Sequence, residues 1–166
     1  MILVQNKIFT KEECDSIIWN EKENITNWDR SDRRYQSHPI QFNTNTKWIF
    51  EKLKLFFEKE TGIKIVNLKE VIHFHKFIPG DWFDIHNDER ERRLFSVGVL
   101  LNDDFDGGDF KLYNPNEIVL DKIAGNTYLF DVKIKHKITE VKNKDRYSLI
   151  WFLQNENLKL NNEKLL

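Results

Sequence analysis

The chain has 166 residues, 40% of them hydrophobic and 13% aromatic, which is enough apolar side-chain area for one ordinary folded domain. Its 26 basic and 27 acidic residues give a formal net charge of -1, so no global attraction to nucleic acid or to an anionic membrane is expected. The single cysteine, Cys14, excludes an intramolecular disulfide, and no apolar stretch has the length of a membrane span or of a signal peptide. We therefore expect a soluble, cytoplasmic protein without a nucleic-acid or membrane partner.

The first predicted helix follows a capping box near the N-terminus. Thr10 and Glu13 stand three residues apart, so their side chains can each accept a hydrogen bond from a backbone N–H at the start of a helix. A helix over about 11–20 is therefore expected, with Ile17 and Ile18 on its buried side.

A second helix is predicted over 47–61. Its apolar residues recur at helical spacing, and Gly62 is well placed to end it. These apolar residues are Ile49, Leu53, Phe56 and Phe57. Between the two helices, residues 28–45 are polar and aperiodic, which predicts a loop or an irregular strand.

Beyond Lys64 the pattern is that of β-strands separated by turn residues. The predicted strands cover 69–78, 94–101, 108–113, 117–120, 126–131 and 145–153, with a shorter one near 136–141. Short strands at this spacing, without alternation of strand and helix, predict an antiparallel sandwich or barrel that is mainly β with flanking α-helices. We interpret 1–166 as a single domain, with a helical N-terminal part over about 1–65 and a β-rich core over about 66–155.

The strongest chemical signal is the pair His86 and Asp88. Side chains two positions apart on a strand project from the same face, so these two can hold one metal ion together. His136, the only histidine further along the chain, lies in a second predicted β segment. Two imidazoles and one carboxylate on one face of an octahedron leave three positions open, which suits Fe(II) that must bind a bidentate co-substrate and O₂.

A buried cation is predicted ten residues after His136. Arg146 and Ser148 share one face of the last long strand. A guanidinium inside a barrel requires an anionic partner, and a dicarboxylic co-substrate would supply one through paired hydrogen bonds, with the Ser148 hydroxyl adding another. The alternative is that Arg146 pairs at the surface with an acid such as Asp145 or Glu140.

The run from Phe77 to Asp88 resembles the prolyl 4-hydroxylase-like branch of the Fe(II)/2-oxoglutarate-dependent oxygenases. That branch commonly reads Tyr-x-x-Gly-x-x-Tyr-x-x-His-x-Asp, and the spacing agrees at Phe77, Gly80, Phe83, His86 and Asp88. Four further segments resemble the branch in the same order: 9–14, 95–109, 124–130 and 136–151. The resemblance covers most of the chain and is weakest over 20–65.

The chain departs from the motif of this branch where phenylalanine replaces tyrosine. In the branch, the tyrosine at the first position often binds the co-substrate through its hydroxyl, and Phe77 has no hydroxyl to do so. His75, on the same predicted face, would compensate. In the alternative interpretation, His73 and His75 are ordinary strand residues with local partners.

The resemblance implies a double-stranded β-helix, or jelly roll, in which His86, Asp88 and His136 bind Fe(II). It implies that Arg146 and Ser148 hold the far carboxylate of 2-oxoglutarate. The expected reaction is hydroxylation of a C–H bond with O₂, coupled to decarboxylation of 2-oxoglutarate to succinate, with ascorbate as a candidate reductant. No further catalytic residue is predicted beyond the metal ligands.

The substrate is left open by the sequence. A prolyl residue of a peptide or protein is the first hypothesis, a small molecule such as a free amino acid is the second, and a catalytically silent jelly-roll binding module is the third. Two segments, 28–36 and 89–93, carry the charged and aromatic residues expected of a substrate surface, although solvated loops would have the same composition.

Overall fold

The computed structural model describes residues 2–160, apart from the side chains of residues 27–29. In this part of the chain the helices are α1 (Lys11–Glu21) and α2 (Lys47–Thr61), and a short 3₁₀ turn covers Asn155–Asn157. The strands are β1 (Leu3–Lys7), β2 (Thr26–Arg30), β3 (Arg33–Ile40), β4 (Lys64–Ile65), β5 (Ile72–Phe77), β6 (Trp82–His86), β7 (Arg93–Leu100), β8 (Asp106–Gly107), β9 (Phe110–Tyr113), β10 (Glu117–Val119), β11 (Asn126–Asp131), β12 (Lys135–Ile138), β13 (Val141–Lys142), β14 (Arg146–Gln154) and β15 (Leu158–Lys159).

Both predicted helices are confirmed, together with the signals that end them. At the start of α1 the Thr10 hydroxyl accepts a hydrogen bond from the Glu13 N–H at 3.1 Å, and the Glu13 carboxylate accepts one from the Thr10 N–H at 2.9 Å. Ile17 is buried as expected, whereas Ile18 is only partly buried. α2 ends at Gly62, which has a left-handed conformation with φ of 70°.

Eleven of the described strands form one antiparallel sheet that curls around an interior space. Its order is β1-β11-β7-β14-β5-β3-β6-β12-β9-β10, with β2 paired to the outer part of β3. This mainly β architecture with two flanking helices confirms the predicted fold class. Neither helix in the described part of the chain has the length and apolar character that crossing a bilayer demands.

The prediction of a loop or irregular strand over 28–45 was wrong for most of that segment. β2 and β3 form a hairpin, and β3 is a regular strand that lies between β5 and β6 in the main sheet. The sequence of β3 lacks an apolar alternation because the side chains of Tyr35 and Ser37 on its inner face line a cavity. The strand is held by its pairing with β5 and by Tyr35, whose ring stacks on Phe77 of β5 with the ring centroids 5.2 Å apart.

The two faces of β14 separate the main core from the interior of the roll. Leu149, Trp151 and Leu153 point outward and pack in the apolar core that also includes buried residues of both helices. The alternate residues Arg146 and Ser148 point inward. One face of β14 therefore packs in the main core, and the other faces the interior of the roll, where Ile150 and Phe152 line the cavity together with Ser148.

Candidate metal centre and its cavity

His86 and His136 face each other directly across two strands. β6 pairs with β12, and in this register His86 is the partner of His136, which brings residues fifty positions apart into contact. Asp88 was predicted to share a strand with His86, but β6 ends at His86 and Asp88 lies in the loop that follows. That loop is held by a hydrogen bond from the Asp88 N–H to the Val132 carbonyl at 3.0 Å, so the carboxylate still reaches both histidines.

The donor atoms of these three residues converge on one point. Nε2 of His86 lies 3.6 Å from Oδ1 of Asp88, and Nε2 of His136 lies 3.4 Å from the same oxygen. One potential ligand atom from each residue falls within 4.8 Å of the others. The structure therefore brings together the three residues that the sequence analysis selected.

The opposite nitrogen of each imidazole is held by a backbone carbonyl. Nδ1 of His86 is 2.7 Å from the Asp84 oxygen, and Nδ1 of His136 is 2.9 Å from the Ile134 oxygen. A carbonyl only accepts, so in the neutral ring the proton sits on Nδ1 and the lone pair of Nε2 points toward Asp88. Two lone pairs and a carboxylate then face one another, an arrangement that needs a cation between them and fits a metal ion.

Asp88 is kept ionised in a largely buried position. Burial by itself raises the pKa of its carboxyl, but hydrogen bonds from His136 and His86, when their rings carry a proton on Nε2, and from Ser96 outweigh burial and hold that pKa well below its usual range. The Ser96 hydroxyl donates to Oδ2 at 2.7 Å, which leaves Oδ1 facing the histidines. Sequence reasoning missed Ser96, although a lone hydroxyl within the apolar run of β7 was a usable signal.

A cavity of about 540 Å³ opens beside these three residues. Its walls combine aromatic rings with polar groups from both halves of the roll. The polar residues among them include Arg33, Tyr35, Ser37, His73, His75, Arg90, Arg93, Tyr128, Lys135 and Ser148. A concave site with an apolar wall and a few converging polar groups is typical of a small-molecule binding site.

Arg146 lies behind the cavity wall and is only 2% exposed. Its Nε donates to the Gly108 carbonyl at 3.0 Å, and its Nη1 donates to the Ser148 hydroxyl at 3.2 Å. Burial lowers the pKa of Arg146, and the neighbouring Tyr128 opposes that effect. Among the described residues no carboxylate forms an ion pair with it, and Asp145 pairs with Lys76 at 3.7 Å. The position favours an anionic ligand over a surface acid as its partner.

His75 lies where the sequence analysis placed it, inside the roll and beside Ser148. The two residues are direct partners in the pairing of β5 with β14, and both line the cavity. Burial lowers the pKa of His75 to about 3, with a further contribution from His73 and Arg146. His75 is therefore neutral, and both His75 and His73 line the cavity.

The mouth of the cavity is cationic. Arg33 and Arg93 are half-buried there, whereas Arg90 and Lys135 are exposed. Arg33 pairs with Asp32 at 2.7 Å, while the guanidinium of Arg93 lies 3.8 Å over the Phe152 ring. The two segments proposed from sequence as substrate surfaces, 28–36 and 89–93, thus both contribute side chains to this mouth.

A jelly roll with two histidines and one carboxylate at the mouth of an interior cavity defines the class of mononuclear non-haem iron oxygenases. The profile of the 2OG-Fe(II) oxygenase superfamily matches residues 72–154, which contain all three converging residues and Arg146. The chain belongs to the 2OG-Fe(II) oxygenase superfamily, in agreement with the resemblance seen in its sequence. It is thus an oxygenase, and the family implies Fe(II), 2-oxoglutarate and O₂ as its reactants.

Solved structures of prolyl hydroxylases share this fold. A prolyl-4-hydroxylase from Pseudomonas putida has a TM-score of 0.76 at 18% identity, with 92% of each chain covered. A Trichoplax adhaerens prolyl hydroxylase, in complex with a hypoxia inducible factor peptide fragment, has a TM-score of 0.76 at 15% identity and covers 94% of this chain and 84% of its own. The viral collagen prolyl hydroxylase of Paramecium Bursaria Chlorella virus-1 has a TM-score of 0.73 at 15% identity, and the match covers 90% of this chain and 94% of the viral one. No curated protein matches by sequence.

Proposed function

We propose that this chain is a 2-oxoglutarate-dependent hydroxylase whose substrate is a prolyl residue of a peptide or protein. The observation that carries the proposal is the convergence of two imidazole lone pairs and the Asp88 carboxylate at the mouth of an open cavity. The whole chain over 1–166 would act as one catalytic domain, since β1 and β3 complete the sheet of the β-rich core.

In this proposal each polar group of the site has a separate task. His86, Asp88 and His136 would hold Fe(II), which when bound supplies the activation of O₂. Arg146 and Ser148 would bind the far carboxylate of 2-oxoglutarate, and the neutral imidazole of His75 would donate a hydrogen bond to the same molecule. Ser96 would keep Oδ1 of Asp88 turned toward the metal by occupying Oδ2.

The shape and charge of the mouth support a peptide substrate. The cavity is partly open to solvent, and its lining includes Arg33 from the β2–β3 hairpin and Arg90 from the loop before β7, between which an extended chain would approach. Its rim carries Arg33, Arg90, Arg93 and Lys135, so a prolyl residue flanked by acidic residues would be attracted to it. The fold similarity to prolyl hydroxylases agrees with this proposal.

A free amino acid is the second candidate substrate, and Arg93 is the observation that favours it. Its guanidinium is half-buried against Phe152, and among the described residues it forms no ion pair. A substrate carboxylate would satisfy that charge inside the cavity. The silent binding module is not proposed, because the chain belongs to a family of oxygenases and retains all three metal donors.

A substrate screen tests the proposal. Purified protein with Fe(II), 2-oxoglutarate and ascorbate would be incubated with prolyl peptides that carry acidic, neutral or basic flanking residues, and with free amino acids. Succinate formation together with the gain of one oxygen atom on proline, strongest for the acidic peptides, is the expected result. Oxidation of free amino acids alone would replace the first candidate by the second, and the absence of succinate with every substrate would contradict both.

A further inference from the structure

Tyr128 reaches across a neighbouring strand to the place where Arg146 lies. It belongs to β11, which is separated from β14 by β7. Neighbouring strands are about 4.8 Å apart, so a side chain of β11 normally stops over β7 and does not meet β14. The residue opposite Tyr128 on β7 is Gly98, and a Cβ at this position would overlap the ring atoms Cε2 and Cζ of Tyr128. The missing side chain of Gly98 is what lets the phenol cross.

The phenol of Tyr128 lies between Arg146 and the cavity. Arg146 itself does not line the cavity of about 540 Å³. Its guanidinium interacts with the hydroxyl groups of Tyr128 and Ser148, and both of these residues line that cavity. Tyr128 is only 3% exposed, and burial raises its pKa to about 12. Its hydroxyl therefore keeps its proton at neutral pH and can donate it to an anion.

Among the described residues, the other contacts of the guanidinium are apolar or already engaged, and the nearby carboxylate of Asp109 is paired with Lys122 at 3.0 Å. The rings of Phe77 and Phe105 lie 5.5 Å and 5.9 Å from it, and the Gly108 carbonyl is already used by Nε. A carboxylate that enters the cavity toward Arg146 would thus meet two hydroxyl groups, one from Ser148 and one from Tyr128. Both can accept from the guanidinium and donate to the carboxylate at the same time.

We propose that the Tyr128 hydroxyl binds the far carboxylate of 2-oxoglutarate together with Ser148 and Arg146, in a position that Gly98 makes accessible. This inference rests on the proposed function, because it takes 2-oxoglutarate as the ligand of the cavity. It adds to the site a co-substrate-binding residue from β11, a strand on which the sequence analysis had placed no functional residue.

The test measures binding directly, by calorimetric titration of the Mn(II)-loaded protein with two acids. One is 2-oxoglutarate, and the other is 2-oxopentanoate, which has the same chain and the same 2-oxo acid group but lacks the far carboxylate. Tyr128→Phe keeps the ring over Gly98 and removes only the hydroxyl. We expect the dissociation constant of 2-oxoglutarate to rise about tenfold, as for the loss of one hydrogen bond to a charged group, and that of 2-oxopentanoate to change less than about twofold.

Tyr147→Phe is the matched control. Tyr147 adjoins Arg146 in sequence, but its ring packs on Phe74 and its hydroxyl donates a hydrogen bond to Asp145. The Tyr147→Phe variant should therefore bind both acids with the affinity of the parent protein. If Tyr128→Phe binds 2-oxoglutarate as tightly as the parent, or loses affinity equally for both acids, the inference is wrong while the proposed function stands. If the parent protein loaded with Mn(II) binds no 2-oxoglutarate, the proposed function fails and the inference fails with it.

Discussion

The two ends of the cavity are built in different ways. At the metal end, formed by His86, Asp88 and His136, each imidazole is oriented by a carbonyl only two residues earlier in the chain. At the clamp end, formed by Arg146, Ser148 and Tyr128, the guanidinium is oriented by the Gly108 carbonyl, thirty-eight positions away. Tyr128 reaches it only through the gap at Gly98.

This difference separates local from long-range control of a site. The ring of each metal-binding histidine is oriented by its own stretch of chain, and the pairing of β6 with β12 brings the two rings together. The clamp end depends on the relative positions of β7, β11 and β14 and of the loop that contains Gly108. Small changes in β7, β11 or this loop would therefore move it. The two ends should therefore respond to different substitutions. Three variants test this separation, and a fourth tests the protonation of His75 in the cavity wall between them.

The largest effect is expected for His136→Ala at the metal end. Removal of one of three donors leaves two, so iron binding and turnover should both be lost. Iron content after loading and succinate formation would be measured side by side. His38→Ala is the control, because His38 lies next to Glu21 at 3.1 Å, outside the cavity. Full iron content with full activity in His136→Ala would contradict the assignment of the metal end.

The next effect is expected for Arg146→Ala at the clamp end. Loss of the buried guanidinium should raise the 2-oxoglutarate concentration for half-maximal activity by about 100-fold, and iron binding should be unchanged. Arg92→Ala, which removes an exposed arginine paired with Glu156 at 3.4 Å, serves as the control. An unchanged 2-oxoglutarate requirement would show that another residue binds the far carboxylate.

A smaller effect on the metal end alone is expected for Ser96→Ala. Without the hydroxyl, Oδ2 of Asp88 loses its 2.7 Å partner and the carboxylate can rotate, so affinity for Fe(II) should fall about tenfold. At saturating metal, the affinity for 2-oxoglutarate should stay the same. Ser16→Ala on the exposed face of α1 is the control. A change in 2-oxoglutarate affinity equal to that in iron affinity would mean that the two ends are coupled.

The smallest effect concerns stability against acid. Because burial depresses the pKa of His75 to about 3, below the ordinary value of 6.5, the unfolded chain takes up this proton first as the pH falls. The contribution of a neutral His75 to stability is thus complete above pH 6.5 and is lost between about pH 6.5 and 3. When the pH falls from 7 to 5, the unfolding free energy of His75→Gln should therefore decrease by about 1 kcal/mol less than that of the parent protein. This figure allows for water at the cavity wall, which weakens the effect of burial on the pKa.

Urea unfolding of the metal-free protein at both pH values would measure this difference. His73, whose pKa burial also lowers, is present in both proteins and does not enter the comparison. Equal pH dependence in His75→Gln and the parent protein would show that His75 is not held neutral by the fold.

Much of the fold could be predicted because its signals are local. The capping box at Thr10 and the helical spacing that ends at Gly62 involve residues within one or two turns of each other, and both are confirmed. β3 was missed because its apolar alternation is absent, and only its neighbours β5 and β6 in the sheet make it a strand. Propensity within the segment carries no information about partners that lie 32 to 50 residues further along the chain.

The fold class, the family and the three residues of the metal end could be predicted from the sequence. His-x-Asp is a short-range pattern, whereas His136 was selected as the only later histidine, ten residues before Arg146, in a chain that resembles the family. The sequence also selected Arg146 and Ser148, which share one face of a strand by its period of two. Only the tertiary structure decided that Ser96 holds Asp88 and that Tyr128 meets Arg146 across Gly98. The first contact joins a loop residue to β7 and the second joins β11 to β14, so their distances are set by sheet register and strand spacing, which no local spacing in the chain encodes.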